Sequence, residues 1–408
     1  MEPTDLPSLP DARFAGLLAE AEELQPRTVE LRRAIHQHPE EGLELPRTQQ
    51  AILAALEGLP LEIQLGKSTS SVTAVLRGRL PGPAVLLRGD MDALPLTEDT
   101  GVDYASATEG TMHACGHDTH VAMLASAAHL LCAHVEELAG SVVFMFQPGE
   151  EGYHGARHMI HEGVLDAAGE RVERAFALHT YANLASGTIA SRPGPILASA
   201  DRFEVRVIGK GGHGSAPHLA IDPVPAAAAM VGALQTMVAR RVSVFAPAVV
   251  SVTRITSGTT SNIIPEVADL EGTIRTLSER TRAQIREELP KVCEAIGQAH
   301  GCRVLVDIEP GYPVTVNDDR LGEHVVALAG EVLGEDNAEL MADPLMGAED
   351  FSYVLQRVPG AFAFLGACPP GTTPEEAAPN HSNRVHYDEA ALPSGVAMYA
   401  AFALDALR

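Results

Sequence analysis

The stretch Ala84-Val85-Leu86-Leu87-Arg88-Gly89-Asp90-Met91-Asp92 joins a short apolar run to a pair of aspartates. Such a run predicts a strand of a buried, mostly parallel sheet. Similar runs at 71–76, 141–146 and 174–179, with helical spacing at 119–135 between them, extend this to an α/β layer. Helical spacing also marks 11–38 and, more briefly, 49–56. In such sheets ligands collect where strands end. Asp90, residues 147–151 and His179 each follow a strand directly.

From about residue 199 to 311 the pattern changes. A strand at 202–209, an Ala-rich helix at 222–240, strands at 248–256 and 268–276, a helix at 279–300 and a strand at 303–308 give the β-α-β-β-α-β order of a ferredoxin-like unit. A complete unit set inside another α/β chain predicts an insertion. The expected division is therefore a first domain in two parts, 1–198 and 312–408, with a second domain at 199–311. A length of 408 residues also exceeds what one core usually serves.

Lys and Arg number 29 against 54 Asp and Glu, so the formal charge is 29 − 54 = −25, and the only lysines are Lys67, Lys210 and Lys291. Nucleic acid and anionic membranes are poor partners for such a chain. Hydrophobic residues at 46% and charged residues at 20% fit a globular protein. The five cysteines, Cys115, Cys132, Cys293, Cys302 and Cys368, are odd in number and widely spaced, which argues against a disulfide framework and for a reducing compartment. Met1-Glu2-Pro3-Thr4-Asp5 shows no basic then apolar leader, and no run approaches a span of roughly 18 apolar residues. A cytoplasmic location without a membrane partner is expected.

Four clusters could carry chemistry. In Met112-His113-Ala114-Cys115-Gly116-His117-Asp118-Thr119-His120, ahead of an apolar helix, Cys115 and His117 can aim sulfur and nitrogen at one ion. The alternative is a buried small cysteine, with Asp118 or Thr119 capping the helix. Gln147-Pro148-Gly149-Glu150-Glu151-Gly152 delivers two adjacent carboxylates from a strand end. One of them could bind metal while the other accepts a proton from activated water, or the pair could be a solvated loop. His179 ends a strand, where it could equally be a satisfied core histidine, and Pro379-Asn380-His381-Ser382-Asn383 could close a site from far along the chain. Asp90 and Asp92, two apart, leave a strand on one side. They could shape a turn or orient a neighbouring histidine, and Asp92 is the better candidate for orienting one.

Together these motifs resemble the metal-dependent aminoacylase and carboxypeptidase superfamily, in the amidohydrolase branch that holds hippurate hydrolases and auxin-conjugate hydrolases. The resemblance also runs through Leu31-Arg32-Arg33 to His36-Pro39-Glu40, Gly211-Gly212-His213, Asn262-Ile263-Ile264-Pro265 and Gly347-Ala348-Glu349-Asp350-Phe351. It implies two divalent metals per subunit, zinc or manganese first and cobalt or nickel as alternatives. The ligands it implies are Cys115, His117, Glu151, His179 and His381, with Cys115 as a bridging thiolate. Glu150 inherits the general base role, and Asp92 orients a ligand histidine. Asp90 stands near the place where the wider superfamily has a ligand histidine, replaced in this branch, and is left out of the metal set. The resemblance further implies that the inserted domain is a lid and makes a homodimer or dimer-based oligomer. His213 would polarise the scissile carbonyl across that dimer, with Asn262, Arg275 and Gly347 at substrate positions. Gly89 and Gly149 stand where alanine is common in the branch, Val385 stands where an aromatic is usual, and Thr180-Tyr181-Ala182-Asn183 lacks a frequent proline; these bear on pocket shape.

The expected activity is hydrolysis of a small N-acyl-L-amino acid, with a metallo-dipeptidase or carboxypeptidase as the nearer alternative. A cysteine amidase using Cys115 would leave Glu151, His179 and His381 unemployed, and Glu150 counts against a metal-binding protein without catalysis. Cys132, Cys293, Cys302 and Cys368 have no role in this reading.

Overall fold

In the computed structural model the chain is described at Phe14 and from Gly16 to Arg408. The opening pentapeptide and the first residues of the expected 11–38 helix lie outside the described residues. Contacts divide the chain into two compact units. One holds the described chain to Ile196 with Val316–Asp343 and Tyr353–Arg408, and the other holds Leu197–Thr315 with Pro344–Ser352.

The sheet of the first unit runs in the order Leu61–Leu65, Val72–Arg77, Ala139–Gln147, Leu80–Asp90, Val172–Tyr181, Gly360–Gly366, Ile189–Ser191, Ala338–Leu340. Its centre is parallel: Leu87 lies opposite Phe144 on one side and Phe176 on the other, and Phe364 lies opposite His179. Antiparallel pairs lie on either side of that centre. The α/β class read from the sequence is the one observed, because the central runs are buried on both faces as parallel strands require. The first strand is mostly exposed, and Ile189–Ser191 and Ala338–Leu340 have three residues each, so none of them stands out as an apolar run.

Parallel register brings strand ends level, so that Asp90 pairs with Gln147. The helix His117–Ala133 is buried along nearly its whole length, which explains why it is apolar on more than one face. A Cβ at Gly89 would lie 2.9 Å from the carbonyl oxygen of His120, so the helix backbone rests directly on the strand. That close approach explains glycine at this position.

The helix begins at His117, two residues before the sequence pattern suggested, with Gly116 as N-cap at φ 82°. Neither Asp118 nor Thr119 caps it. Thr119 Oγ1 donates to the Gly116 carbonyl at 2.6 Å, and Asp118 turns toward the helix Leu17–His36. There its Oδ2 accepts from Arg32 Nε at 2.9 Å and from His36 Nδ1 at 2.9 Å, and Glu98 lies 3.3 Å from His36 Nε2.

The second unit has an antiparallel sheet in the order Ala248–Ser257, Val267–Thr276, Ser199–Ile208, Arg303–Pro310, with helices Pro223–Arg241 and Glu279–Ala299. Phe203, Val205 and Val207 alternate inward while Glu204 and Arg206 point out. Met230, Leu234 and Met237 from one helix, and Ile285, Leu289 and Cys293 from the other, complete this core.

All five cysteines are free. Burial pushes the Cys293 thiol up to about 12 and that of Cys132 up to about 11, so both act as small apolar packing groups. Among the described residues no helix is long and apolar enough to cross a membrane.

The buried His36 gives a pH test. Burial opposes its protonation, but Asp118 and Glu98 outweigh burial and raise it to about 9. A raised histidine stabilises the fold fully below its ordinary value of about 6.5, and that stability is lost as pH rises through about 9. The stability difference between wild type and His36→Gln should therefore shrink over that interval, by up to about 3 kcal/mol. Chemical denaturation across the interval checks this, and a pH-independent difference would refute it.

Candidate metal centre

The site of the first unit grows from the carboxyl ends of three parallel strands. After Leu80–Asp90 the chain presents Asp92, whose Oδ1 accepts the Glu150 N–H at 2.9 Å and whose Oδ2 accepts the Glu151 N–H at 3.0 Å. One carboxylate thus fixes the turn after Ala139–Gln147. Its Oδ1 also lies 3.5 Å from His117 Nδ1, on the ring side away from Nε2, which lies 4.0 Å from Glu151 Oε1.

Cys115 sits at the middle of the cluster, with Sγ 3.4 Å from His179 Nε2 and 3.2 Å from His381 Nε2. His179 Nδ1 donates to the Thr180 carbonyl at 2.9 Å, so its Nε2 offers a lone pair toward the sulfur. His381 Nε2 also lies 3.2 Å from Glu151 Oε1. The loop carrying His381 is pinned from 200 or more residues away: His381 N–H donates to Ala114 O at 2.8 Å, Asn380 Nδ2 to Thr180 O at 3.0 Å, and Tyr387 Oη to Ala114 O at 3.1 Å. His381 holds φ at 69°, left-handed for a non-glycine residue, as is frequent at functional sites.

Donor atoms lie within 4.8 Å of one another in three sets: Cys115, His117 and His179; Cys115, Glu151 and His381; and His117, Glu150 and Glu151. Both ring nitrogens of His117 are buried without a hydrogen-bond partner. That is costly for an imidazole unless an ion takes the lone pair, so these residues fit a metal. The set Asp90, His117 and His120 is also close, but His120 is already engaged. Its Nε2 accepts the Thr180 N–H at 2.8 Å, so Nδ1 carries the hydrogen and donates to Asp90.

The sequence offered Asp90 as a possible orienter of a histidine, but it did not single out Arg88 or His120 as its partners. Arg88 Nη1 lies 2.7 Å from Asp90 Oδ2 and its Nε donates to Gln147 Oε1 at 2.9 Å, both fully buried. The only hints were His120, one turn beyond His117, and an arginine inside an apolar strand. Gly116 completes the fit, because a Cβ there would meet Thr180 Oγ1 at 2.5 Å.

Charges in the cluster compensate one another. Burial works against an ionised Asp90, but Arg88, His117 and His120 hold it well below the carboxylate range. Burial likewise opposes ionised Glu151, and His381 and His117 keep it low. His117 resists its own burial, raised well above the usual value by Asp90 and Cys115. Hydrogen bonds to Cys115 and Glu151 carry His381 to about 10.

In the second unit, Gly212–His213 pairs with Ile263–Ile264, and Gly214 N–H donates to Asn262 O at 2.8 Å, so His213 and Asn262 are neighbours. His213 is exposed, and its Nδ1 accepts from Ser215 N–H at 3.1 Å. Arg275 stands half-buried on Val267–Thr276, with Nε 3.1 Å from Thr273 Oγ1. Gly347 O accepts the Ala198 N–H at 2.8 Å.

The model of peptidase family M20/M25/M40 matches residues 86–405. A "Thermostable carboxypeptidase 2" of Saccharolobus solfataricus is 37% identical over 392 residues, covering 94% of this chain and 96% of that one. An "N-acetylcysteine deacetylase" of Bacillus subtilis is 38% identical over 341 residues, covering 83% and 88%. The crystal structure of YXEP from Bacillus subtilis, a dinuclear metal binding peptidase of the M20 family, superimposes with a TM-score of 0.81 at 34% identity, covering 95% of this chain and 99% of that one.

A proton count tests the electrostatics. His117 and His381 carry protons at neutral pH when no ion compensates the thiol and carboxylates, and ligation must expel them. Zinc titrated calorimetrically in buffers of different ionisation enthalpy should release at least one proton per protein at pH 7, and affinity should rise with pH. Binding that releases none would contradict this arrangement.

Proposed function

The chain belongs to peptidase family M20/M25/M40, a family of metal-dependent hydrolases, and from that premise we propose that it cleaves the amide bond of small N-acyl-L-amino acids with Glu150 as general base. The observation that carries the reading is the paired anchorage of Glu150 and Glu151 on Asp92. It holds two adjacent carboxylates in a fixed turn and lets them divide labour.

On this reading Cys115, His117, Glu151, His179 and His381 would hold two divalent ions, with Cys115 as the thiolate ligand. Such ions supply positive charge that acidifies water and polarises a carbonyl. Thiolate and imidazole suit zinc, while manganese, cobalt and nickel are alternatives that metal analysis separates. Glu150 takes a proton from the attacking water and returns it to the departing amine. Asp92 keeps both the Glu150 backbone and the His117 ring in place.

His213 carries the polarising role. Because its Nδ1 accepts from Ser215 N–H, the neutral ring presents an Nε2–H donor suited to a carbonyl oxygen that gains charge. One such donor is worth on the order of 2.7 to 4 kcal/mol in a well-studied case. Asn262, Arg275 and Gly347 serve the substrate, and supply of His213 by a partner subunit makes a homodimer the working unit. The domain at 199–311 acts as lid and dimer contact on the same reading, in the cytoplasm.

The carboxypeptidase relative favours a second reading, since the same groups would cleave a peptide bond. A panel of acetyl, benzoyl and longer acyl amino acids against dipeptides separates the two: higher kcat/KM on the acyl compounds supports the first. Glu150→Gln should keep its metal and lose at least ~100-fold in kcat. A metal-loaded variant of near-normal activity would sink the assignment. Chelation should abolish turnover reversibly, whereas a cysteine amidase would survive it.

A further inference from the structure

Residues 91–116 lead from the Asp90 strand to the His117 helix with no helix or strand of their own beyond isolated bridges, and they carry Cys115. An irregular stretch of this length needs external anchors if a ligand at its end is to be held within a fraction of an ångström. The anchors come from the end of the helix Leu17–His36 and the turn after it. Ala93 N–H donates to Glu40 O at 2.8 Å, Ala107 N–H to Gln37 O at 2.9 Å, and Thr111 Oγ1 to Glu41 Oε1 at 2.7 Å.

The centre of this anchorage is Arg32, which is fully buried. Its Nε donates to Asp118 Oδ2 at 2.9 Å, and its Nη1 to Tyr104 Oη at 3.0 Å and Glu389 Oε1 at 2.7 Å. His36 grips the same Asp118 oxygen from its Nδ1 and faces Glu98 with its Nε2. Glu98 in turn accepts the Ser106 N–H at 2.7 Å. Arg32 and His36 therefore reach three points of the 91–118 segment, at Glu98, Tyr104 and Asp118. Asp118 follows His117 in the first helical turn. Its side chain faces Arg32 while His117 faces the donor cluster, so a pull on Asp118 sets the rotation of the turn that presents His117.

We propose that Arg32 and His36, acting through Asp118, are positioning residues that set the aim of His117 and Cys115 toward bound metal. The inference rests on the metal-centre reading above. It gives a function to the Arg32 to His36 motif, which takes no part in the chemistry itself. Arg32 is suited to the task because its planar fork reaches several acceptors in fixed directions, which lysine cannot do. A misplacement of about 1 Å at a reacting group can cost about a hundredfold in rate.

The test uses the full-length protein with cobalt(II) in place of the native metal, comparing wild type with Asp118→Asn, Arg32→Lys and His36→Gln. Arg79→Gln, which removes an exposed ion pair with Glu136 outside this anchorage, serves as control. Three quantities are read: the thiolate-to-cobalt charge-transfer band, metal affinity by chelator competition, and kcat at saturating metal. Positioning predicts that Asp118→Asn weakens metal binding tenfold or more and alters the charge-transfer band. It also predicts a tenfold to hundredfold loss in kcat with KM little changed. Arg32→Lys should fall between it and wild type, and Arg79→Gln should match wild type. If Asp118→Asn does not fold, Arg32→Lys and His36→Gln decide the matter by the same readouts. Folded variants that change only in Tm, with band, affinity and kcat intact, overturn the proposal in favour of a purely structural clamp. A wild-type protein without a thiolate band overturns the metal-centre reading itself, an outcome the variants cannot mimic.

Discussion

Asp92 is the point to which the rest of the site is referred. A single buried carboxylate accepts two successive backbone N–H groups, from Glu150 and Glu151, and sets its charge beside the His117 ring. Burying a carboxylate is costly unless its oxygens are bonded, and both oxygens of Asp92 are. The same bonds lock segments that follow two different strands into one frame. Any shift of Asp92 would move the candidate base, a candidate ligand and the orientation of a second ligand together.

Behind that frame lies a polar core where apolar packing would be expected. Arg88, Asp90, His120 and Thr180 form a chain of buried contacts under the helix start, and Tyr399 closes it by donating to the Arg88 carbonyl at 2.6 Å. Buried ion pairs contribute little net stability, since desolvation offsets most of their attraction. Their value here is directional. Hydrogen bonds fix directions as well as distances, so they set the placement of the strand end at Thr180 against the helix start at His117 more narrowly than a purely apolar core would.

Much of the fold was legible because the signals are local. The apolar runs of Leu80–Asp90, Ala139–Gln147 and Val172–Tyr181 announce buried strands, and the alternation of Phe203, Val205 and Val207 announces a sheet covered on one face. Gly360–Gly366 was not foreseen, although it lies within the parallel centre beside Val172–Tyr181. Its strand character is held by neighbours far away in sequence. Asp118 and Thr119 looked like capping residues for the same reason: a local rule offered a role that a distant arginine and histidine supersede for Asp118.

The sequence by itself determined which side chains could do metal and proton chemistry, since thiol, imidazole and paired carboxylates at strand ends are visible as residue types in order. It also determined the two architectures, through periodicities that depend only on neighbours a few positions apart. Only the tertiary structure decided which candidates meet. Cys115 and His381 lie 266 positions apart yet approach within 3.2 Å. His120, three residues from His117, is spent on Asp90 and Thr180. The physical reason is that a lone pair's availability depends on what else is bonded to the ring, and those partners come from other strands and helices.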